Sequence, residues 1–280
     1  MSKITKTVLS AIAVVVLALG GGLLGANLAG SNTSGDSNST SLIEQIKQRG
    51  ELRVGVAIAP PLTAEQPDGT LGGPNLIPLQ KLADELGVKL VPVAAEWKNI
   101  VAGLQAGRYD FAANLDATVS RGASIMFTDP VYKYQGVFVV PADSPYNTAT
   151  DLLASKKAIG TAQGSAPEAA LIALGATVTP TDTYANIVAS MKAGRVAAEF
   201  TDSPTAVGQA QADKTLKIIV PSPIIYTADV SYGVPATIDL HSLTVVNIAI
   251  ARAIGNGEMT AAYAKVNYLE IDNLGDLEKK

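Results

Sequence analysis

From residue 42 onward, short apolar runs alternate with segments in which apolar side chains recur every three to four positions. Runs of the first kind suit strands buried on both faces; segments of the second kind suit helices with one apolar face. The pattern predicts strands over 52–56, 89–93, 109–113, 136–140, 157–161 and 196–201, and helices over 76–86, 100–105, 167–174, 249–254 and 260–266. Gly87 and Gly107 stop two of the helices, and Pro167 opens another at the first-turn position that tolerates proline. Strands and helices in this alternation build an α/β fold with mainly parallel sheets.

The chain also echoes itself. Asn99, Ile100, Val101 and Ala102 recur as Asn186, Ile187, Val188 and Ala189, and Ala106-Gly107-Arg108 recurs in register as Ala193-Gly194-Arg195. Each copy leads into a predicted strand, and the order of elements around it repeats. The expectation is two similar lobes, the first formed by 42–136 with 231–280 and the second by 137–230, with crossings near 136–139 and 230–234. Two such lobes place the carboxyl ends of their strands along one shared cleft, where ligands of α/β folds bind.

Composition narrows the chemistry. Of 280 residues, 48% are hydrophobic and only 16% charged, enough apolar material for a sizeable core. A net charge of -4 without a basic stripe excludes nucleic acid as a partner. The absence of cysteine excludes disulfides and thiolate chemistry, and a lone histidine, His241, excludes a multi-histidine metal site, so no cofactor is expected. Lys3 and Lys6, the apolar run 8–19 and Ala29-Gly30-Ser31 lay out a secretory signal over 1–30. The alternative is an uncleaved anchor, since 8–29 nearly spans a bilayer. Either arrangement puts the remainder outside the cytoplasm, with the polar segment 31–41 as a flexible linker.

Several motifs then fall in a telling order: Leu52-Arg53-Val54-Gly55-Val56 before Pro60-Pro61, Trp97, Leu104 to Asp110, Arg121 with Phe127-Thr128-Asp129-Pro130 and Tyr132, Gly160 to Ala166, and Thr201-Asp202-Ser203-Pro204. Their order and spacing over roughly 42–268 resemble the polar amino-acid binding proteins of ABC importers, solute-binding family 3, with the type II periplasmic-binding fold. The resemblance implies a non-enzymatic, monomeric protein that closes on an amino acid or related amine and presents it to a membrane permease. It implies that Arg121 grips the ligand carboxylate, a role its planar guanidinium suits. Gly164, Ser165 and Ala166 precede a helix whose N-terminus favours an anion. Asp202 takes the ligand ammonium, although an Asp there also suits a helix N-cap. Trp97 forms an aromatic wall, Thr201 touches the ligand or ends its strand, and Tyr184, the echo of Trp97, belongs to the core.

Departures from the family pattern matter equally. Val56, Ala57, Ile58 and Ala59 make one side of the pocket small and apolar, and Gly73-Pro74-Asn75 alters a helix cap. Within Asn114-Leu115-Asp116-Ala117-Thr118, the hydroxyl residue five positions before the arginine is replaced by Asp116, unless the alignment slips and Thr118 is the donor. A buried Asp116 needs a partner: either Arg121, or a positive group brought by the ligand. Two other classes stand beside the binding protein. A cyclohexadienyl dehydratase would need a general acid, and the glutamate of such relatives is Thr205 here, leaving only Glu168 and Glu199 nearby. A membrane-tethered sensor is favoured by the uncleaved-anchor reading.

Overall fold

The protein is described by a computed structural model over residues 40–269 and 271–276; the expected signal or anchor and all but the last two linker residues lie outside the described residues. Among the described residues, no helix is long and apolar enough to cross a membrane.

The chain begins with α1 (Leu42–Arg49), β1 (Glu51–Val56), the short pair β2 (Ala64–Glu65) and β3 (Leu71–Gly72), and a 3-10 turn at Pro74–Leu76. Next come α2 (Ile77–Leu86), β4 (Lys89–Ala94), α3 (Trp97–Gln105), β5 (Phe111–Asp116), α4 (Val119–Gly122), β6 (Met126–Phe127) and the long β7 (Tyr132–Pro141). They are followed by α5 (Ala149–Ala154), β8 (Ile159–Ala162), α6 (Ala166–Ala173), β9 (Val178–Thr181), α7 (Tyr184–Lys192), β10 (Ala198–Asp202), α8 (Ser203–Ala212) and β11 (Leu216–Ile219). The series closes with β12 (Thr227–Val234), α9 (Leu240–Gly255), α10 (Glu258–Lys265) and a 3-10 segment at Ile271–Asp276.

Strand order runs β4-β1-β5-β12-β7-β10-β8-β9, with β11 on β7 and β6 on β12. β1 pairs in parallel with β4 and β5, and β8 in parallel with β9 and β10. The two parallel triplets are joined through antiparallel strands, and β7 carries the join. Over Tyr132–Gln135 it pairs with β12; from Gly136 it pairs with β10 and then β11. The result is a bilobed α/β fold with one core around Leu52, Val54, Phe111 and Tyr232 and another around Phe138, Leu152, Leu171 and Phe200.

The echo in the sequence is an echo in hydrogen bonding. At the end of α3, Ala106, Gly107 and Arg108 donate their N–H groups to Ala102, Leu104 and Gly103; at the end of α7, Ala193, Gly194 and Arg195 donate to Ala189, Met191 and Ser190. Gly107 and Gly194 both take the left-handed conformation, φ 66° and 70°, that ends a helix without a Cβ penalty. Several elements go beyond those predicted from the sequence, among them α1, α5, β9, β11 and β12, and two more differ in extent. α8 was anticipated only as a segment that Asp202 caps, and α9 begins at Leu240 rather than 249, capped by Asp239 on the Ser242 N–H.

Candidate functional site

Between the two lobes a small cavity of about 30 Å³ is lined by Ala59, Trp97, Asn114, Asp116, Arg121, Tyr132, Tyr134, Ser165, Ala166, Pro167, Tyr184 and Asp202. Seven of the ten residues expected at the ligand meet there, Trp97, Asn114, Asp116, Arg121, Ser165, Ala166 and Asp202, and of the small apolar side Ala59 joins them while Val56, Ala57 and Ile58 do not. Gly164, Thr118 and Thr201 do not line it but hold residues that do. Tyr132, Tyr134, Tyr226 and Tyr184 are the residues the sequence did not bring to the site.

Arg121 is placed by its local turn. Thr118 caps α4, its hydroxyl accepting from the Arg121 N–H at 3.3 Å, so Thr118 orients the arginine instead of facing the cavity. The Arg121 guanidinium donates from Nη1 to the Asp116 carbonyl at 3.2 Å and from Nη2 to the Gly164 carbonyl at 3.2 Å. The second bond crosses from β5's lobe to the loop after β8. With five donors in a planar fork, Arg121 keeps N–H groups to offer a carboxylate.

Asp116 sits at the end of β5, where the strand is irregular. Its partner β12 shifts register between Ser231 and Gly233, and Asn114 has φ 61°, unusual for a residue inside a strand. A buried network holds Asn114 there. Its amide donates to Thr63 Oγ1 at 2.9 Å and its carbonyl accepts from Asn75 Nδ2 at 2.6 Å, while Asn75 in turn accepts from the Tyr263 hydroxyl. Gly73-Pro74-Asn75 therefore does more than change a cap, because Asn75 braces the cavity wall.

The Asp116 carboxylate is buried, yet it is not paired with the Arg121 guanidinium, contrary to one of the two expectations for it. The tyrosines supply what the sequence reading lacked: the hydroxyls of Tyr134 and Tyr226 donate to Asp116 Oδ2 at 2.8 and 2.9 Å. Burial raises the Asp116 pKa, opposed by the nearby charge of Arg121 and by the two phenol hydrogen bonds.

On the facing lobe, Asp202 ends β10 and caps α8, accepting the Thr205 N–H at Oδ1 (2.8 Å). Its Oδ2 receives only longer contacts, 3.3 Å from Thr201 Oγ1 and 3.5 Å from the Tyr184 hydroxyl. The cap thus falls on Oδ1 and leaves Oδ2 with the longer contacts. Burial raises the Asp202 pKa, and the cap hydrogen bonds lower it. Thr201 is fully buried and serves Asp202 from behind. Ser165 caps α6, taking the Glu168 N–H, and Pro167 has no donor to give, which leaves the Ala166 N–H as the first-turn donor at the cavity.

Tyr184 is a correction: it is half-buried and lines the cavity rather than packing in the core. The reason lies in the repeat. Trp97 and Tyr184 occupy the same place, the first residue of a helix that follows a strand's carboxyl end, so both face the cleft. Contacts between the lobes flank them. Lys98 Nζ meets Asp182 Oδ1 at 2.6 Å, and a Cβ on Gly164 would come within 2.5 Å of the Lys98 Cα.

Two α/β lobes thus meet at a cavity that presents a guanidinium, two carboxylates and a helix N-terminus. The chain belongs to the bacterial extracellular solute-binding proteins, family 3, whose profile matches residues 52–267. A Haemophilus influenzae protein named "Probable amino-acid ABC transporter-binding protein" is 28% identical over 170 residues, 59% of this chain and 65% of that protein. The fold is shared with an amino acid ABC transporter substrate-binding protein from Streptococcus pneumoniae bound to L-arginine, at TM-score 0.75 and 25% identity over 83% of this chain and 100% of that one. It is shared too with an ancestral amino acid-binding protein that is a precursor of cyclohexadienyl dehydratase, at TM-score 0.72 and 24% identity over 80% and 99% of the two chains.

Proposed function

We propose that this protein captures an amino acid outside the cytoplasm, closes its lobes on it and delivers it to the membrane permease of an ABC-type importer, working as a monomer. The carrying observation is the opposition of charges across one cavity: Arg121 and the Ala166 N–H on one ligand group, Asp202 Oδ2 on another. A zwitterion needs that pair of anchors, the carboxylate gripped by a guanidinium and a helix N-terminus and the ammonium by a fixed anion. The two lobes, 42–136 with 231–280 and 137–230, move about β7 and the chain entering β12. Contacts made only on closure, such as Arg121 to the Gly164 carbonyl, then give the ligand its differential affinity for the closed form.

The same site argues against catalysis. Thr205, at the place of the dehydratase glutamate, is buried, gives its backbone N–H to the Asp202 cap and carries no carboxyl to act as an acid, while Glu199 and Glu168 are absent from the cavity lining. A thermal-shift screen of the purified protein against the amino acids tests the reading, since a ligand of the native state raises apparent stability by mass action. The expected result is a shift with at least one amino acid and no turnover of cyclohexadienyl acids. Turnover, or no shift with any amino acid, refutes it.

A further inference from the structure

We propose that Asp116 selects the solute by charge, making the cavity specific for a basic α-amino acid over its neutral and acidic counterparts. The inference rests on the amino-acid reading above and goes beyond it by naming the ligand class. Both tyrosine hydroxyls bond to a single oxygen of Asp116, Oδ2, at 2.8 and 2.9 Å. The carboxylate is therefore held in a fixed orientation, and its Oδ1 takes no hydrogen bond from the protein although the residue lines the cavity. Oδ1 is not among the buried atoms that lack a partner, so it opens to the cavity, and an open carboxylate oxygen with no protein donor is a place for a donor supplied by the solute.

Arg121 lies near enough for its charge to act on Asp116, but among the described residues no cation hydrogen-bonds the Asp116 carboxylate. Arg121 directs Nη1 and Nη2 to the carbonyls of Asp116 and Gly164 and forms no bond with the Asp116 carboxylate. Lys98, at the mouth, is paired with Glu96 and Asp182 and is not part of the lining. Among the lining residues there are thus two carboxylates and one guanidinium. An α-amino acid main chain matches Arg121 and Asp202 and leaves Asp116 unanswered. A side chain with one positive charge answers it, a neutral side chain leaves it unpaired, and an acidic side chain is repelled. The aromatic lining favours the same outcome, since Trp97, Tyr132 and Tyr184 border the cavity and a cation is attracted to aromatic rings.

Calorimetric titration of the purified protein with arginine, lysine, glutamine and glutamate tests this directly. The expected result is binding of arginine or lysine roughly tenfold or more tighter than glutamine, with glutamate weakest, as for a desolvated charge pair. Asp116→Asn, which keeps the shape and an acceptor for the tyrosines, should reduce the basic-over-neutral preference by roughly tenfold or more. Tyr226→Phe should retain the preference, because it removes a clamp and leaves the charge. Glutamine or glutamate binding as tightly as the basic amino acids overturns the inference while leaving the amino-acid reading standing, and requires no variant to fold. An undiminished preference in Asp116→Asn also overturns it. Failure of every amino acid to bind overturns both.

Discussion

Asp202 caps α8 and, on the reading proposed above, also anchors the ligand, and substitution can separate the two roles. Removing the carboxylate in Asp202→Ala loses both the ligand anchor and the α8 cap, whereas Asp202→Asn keeps a capping oxygen and loses only the charge. Both variants, and Arg121→Ala, should weaken ligand binding by roughly 3 kcal/mol, the scale for stripping one partner from a desolvated charge pair. Only Asp202→Ala should also lower thermal stability, by about 1 kcal/mol for the cap. Equal stability of the two Asp202 variants in a melting experiment would deny the capping role. The place of Arg121 and Asp202 at the cavity was legible from motif order: Arg121 ahead of Phe127-Thr128-Asp129-Pro130, and Asp202 at the end of the apolar run 196–201 before Ser203-Pro204, where an Asp also suits the cap it forms. The tyrosines that position Asp116 were not, since Tyr134 lies inside a buried strand and reads as an ordinary β-former. Glu199 is another buried carboxyl the sequence could not place. Its Oε2 has no partner, Oε1 accepts from Gln209 Nε2 at 3.2 Å, and burial pushes its pKa up to about 8. Between the ordinary value of 4.5 and about 8, the folded state keeps a proton that the unfolded chain has lost, so this contribution to stability declines as pH rises through that window. Asp116 and Asp202, also raised by burial, add slope of the same sign. Glu199→Gln should therefore reduce the loss of stability between pH 6 and 8 by on the order of 2 kcal/mol. Denaturant titrations at several pH values measure this, and a slope identical to that of the parent counts against it.

At the scale of elements, the repeat was the most informative feature because it concerns local chemistry: a helix of fixed length, a left-handed glycine and a strand. α3 and α7 share those requirements whatever surrounds them, and Gly107 and Gly194 have open space where a Cβ would go. Replacing either by Ala therefore costs only backbone strain, about 1 kcal/mol, and because the two lie in different lobes the double variant should lose the sum. A glycine whose replacement costs nothing, seen in chemical denaturation, would show that its turn rearranges. The long strands β7 and β12 were less legible than the helices. Pairing partners change along β7 at Gly136, where a Cβ would strike the Phe200 ring, and nothing in an apolar run announces which of two sheets each half of it joins. α8 was hidden for a different reason: Ser203 to Val207 are all buried, so the helix shows no polar face to mark its period until its second half.

For the whole molecule the decisive question is what closing the lobes requires, and a second glycine contact isolates it. Gly208 lies on α8, and an ideal Cβ there would sit 2.9 Å from Cδ of Pro61, which belongs to the loop after β1 on the other lobe. Unlike Gly164, whose φ of +78° penalises any side chain, Gly208 has ordinary helical geometry. Alanine is worth about 1 kcal/mol over glycine inside a helix, so Gly208→Ala should leave its own lobe as stable as before or more so. The methyl group meets a proline ring with little freedom to yield, and the closed arrangement of the lobes is what it opposes. On the proposed closure, the contacts from Arg121 to the Gly164 carbonyl and from Lys98 to Asp182 form as the lobes meet, so a lobe held back by a few tenths of an ångström should lose ligand affinity with every proposed ligand contact unchanged. The expected combination is unusual: a melting temperature equal to or above that of the parent, ligand binding weaker by roughly fivefold to tenfold, and a larger radius of gyration by solution scattering with ligand present. A variant that binds and compacts like the parent would mean that Pro61 gives way freely and that this contact takes no part in closure.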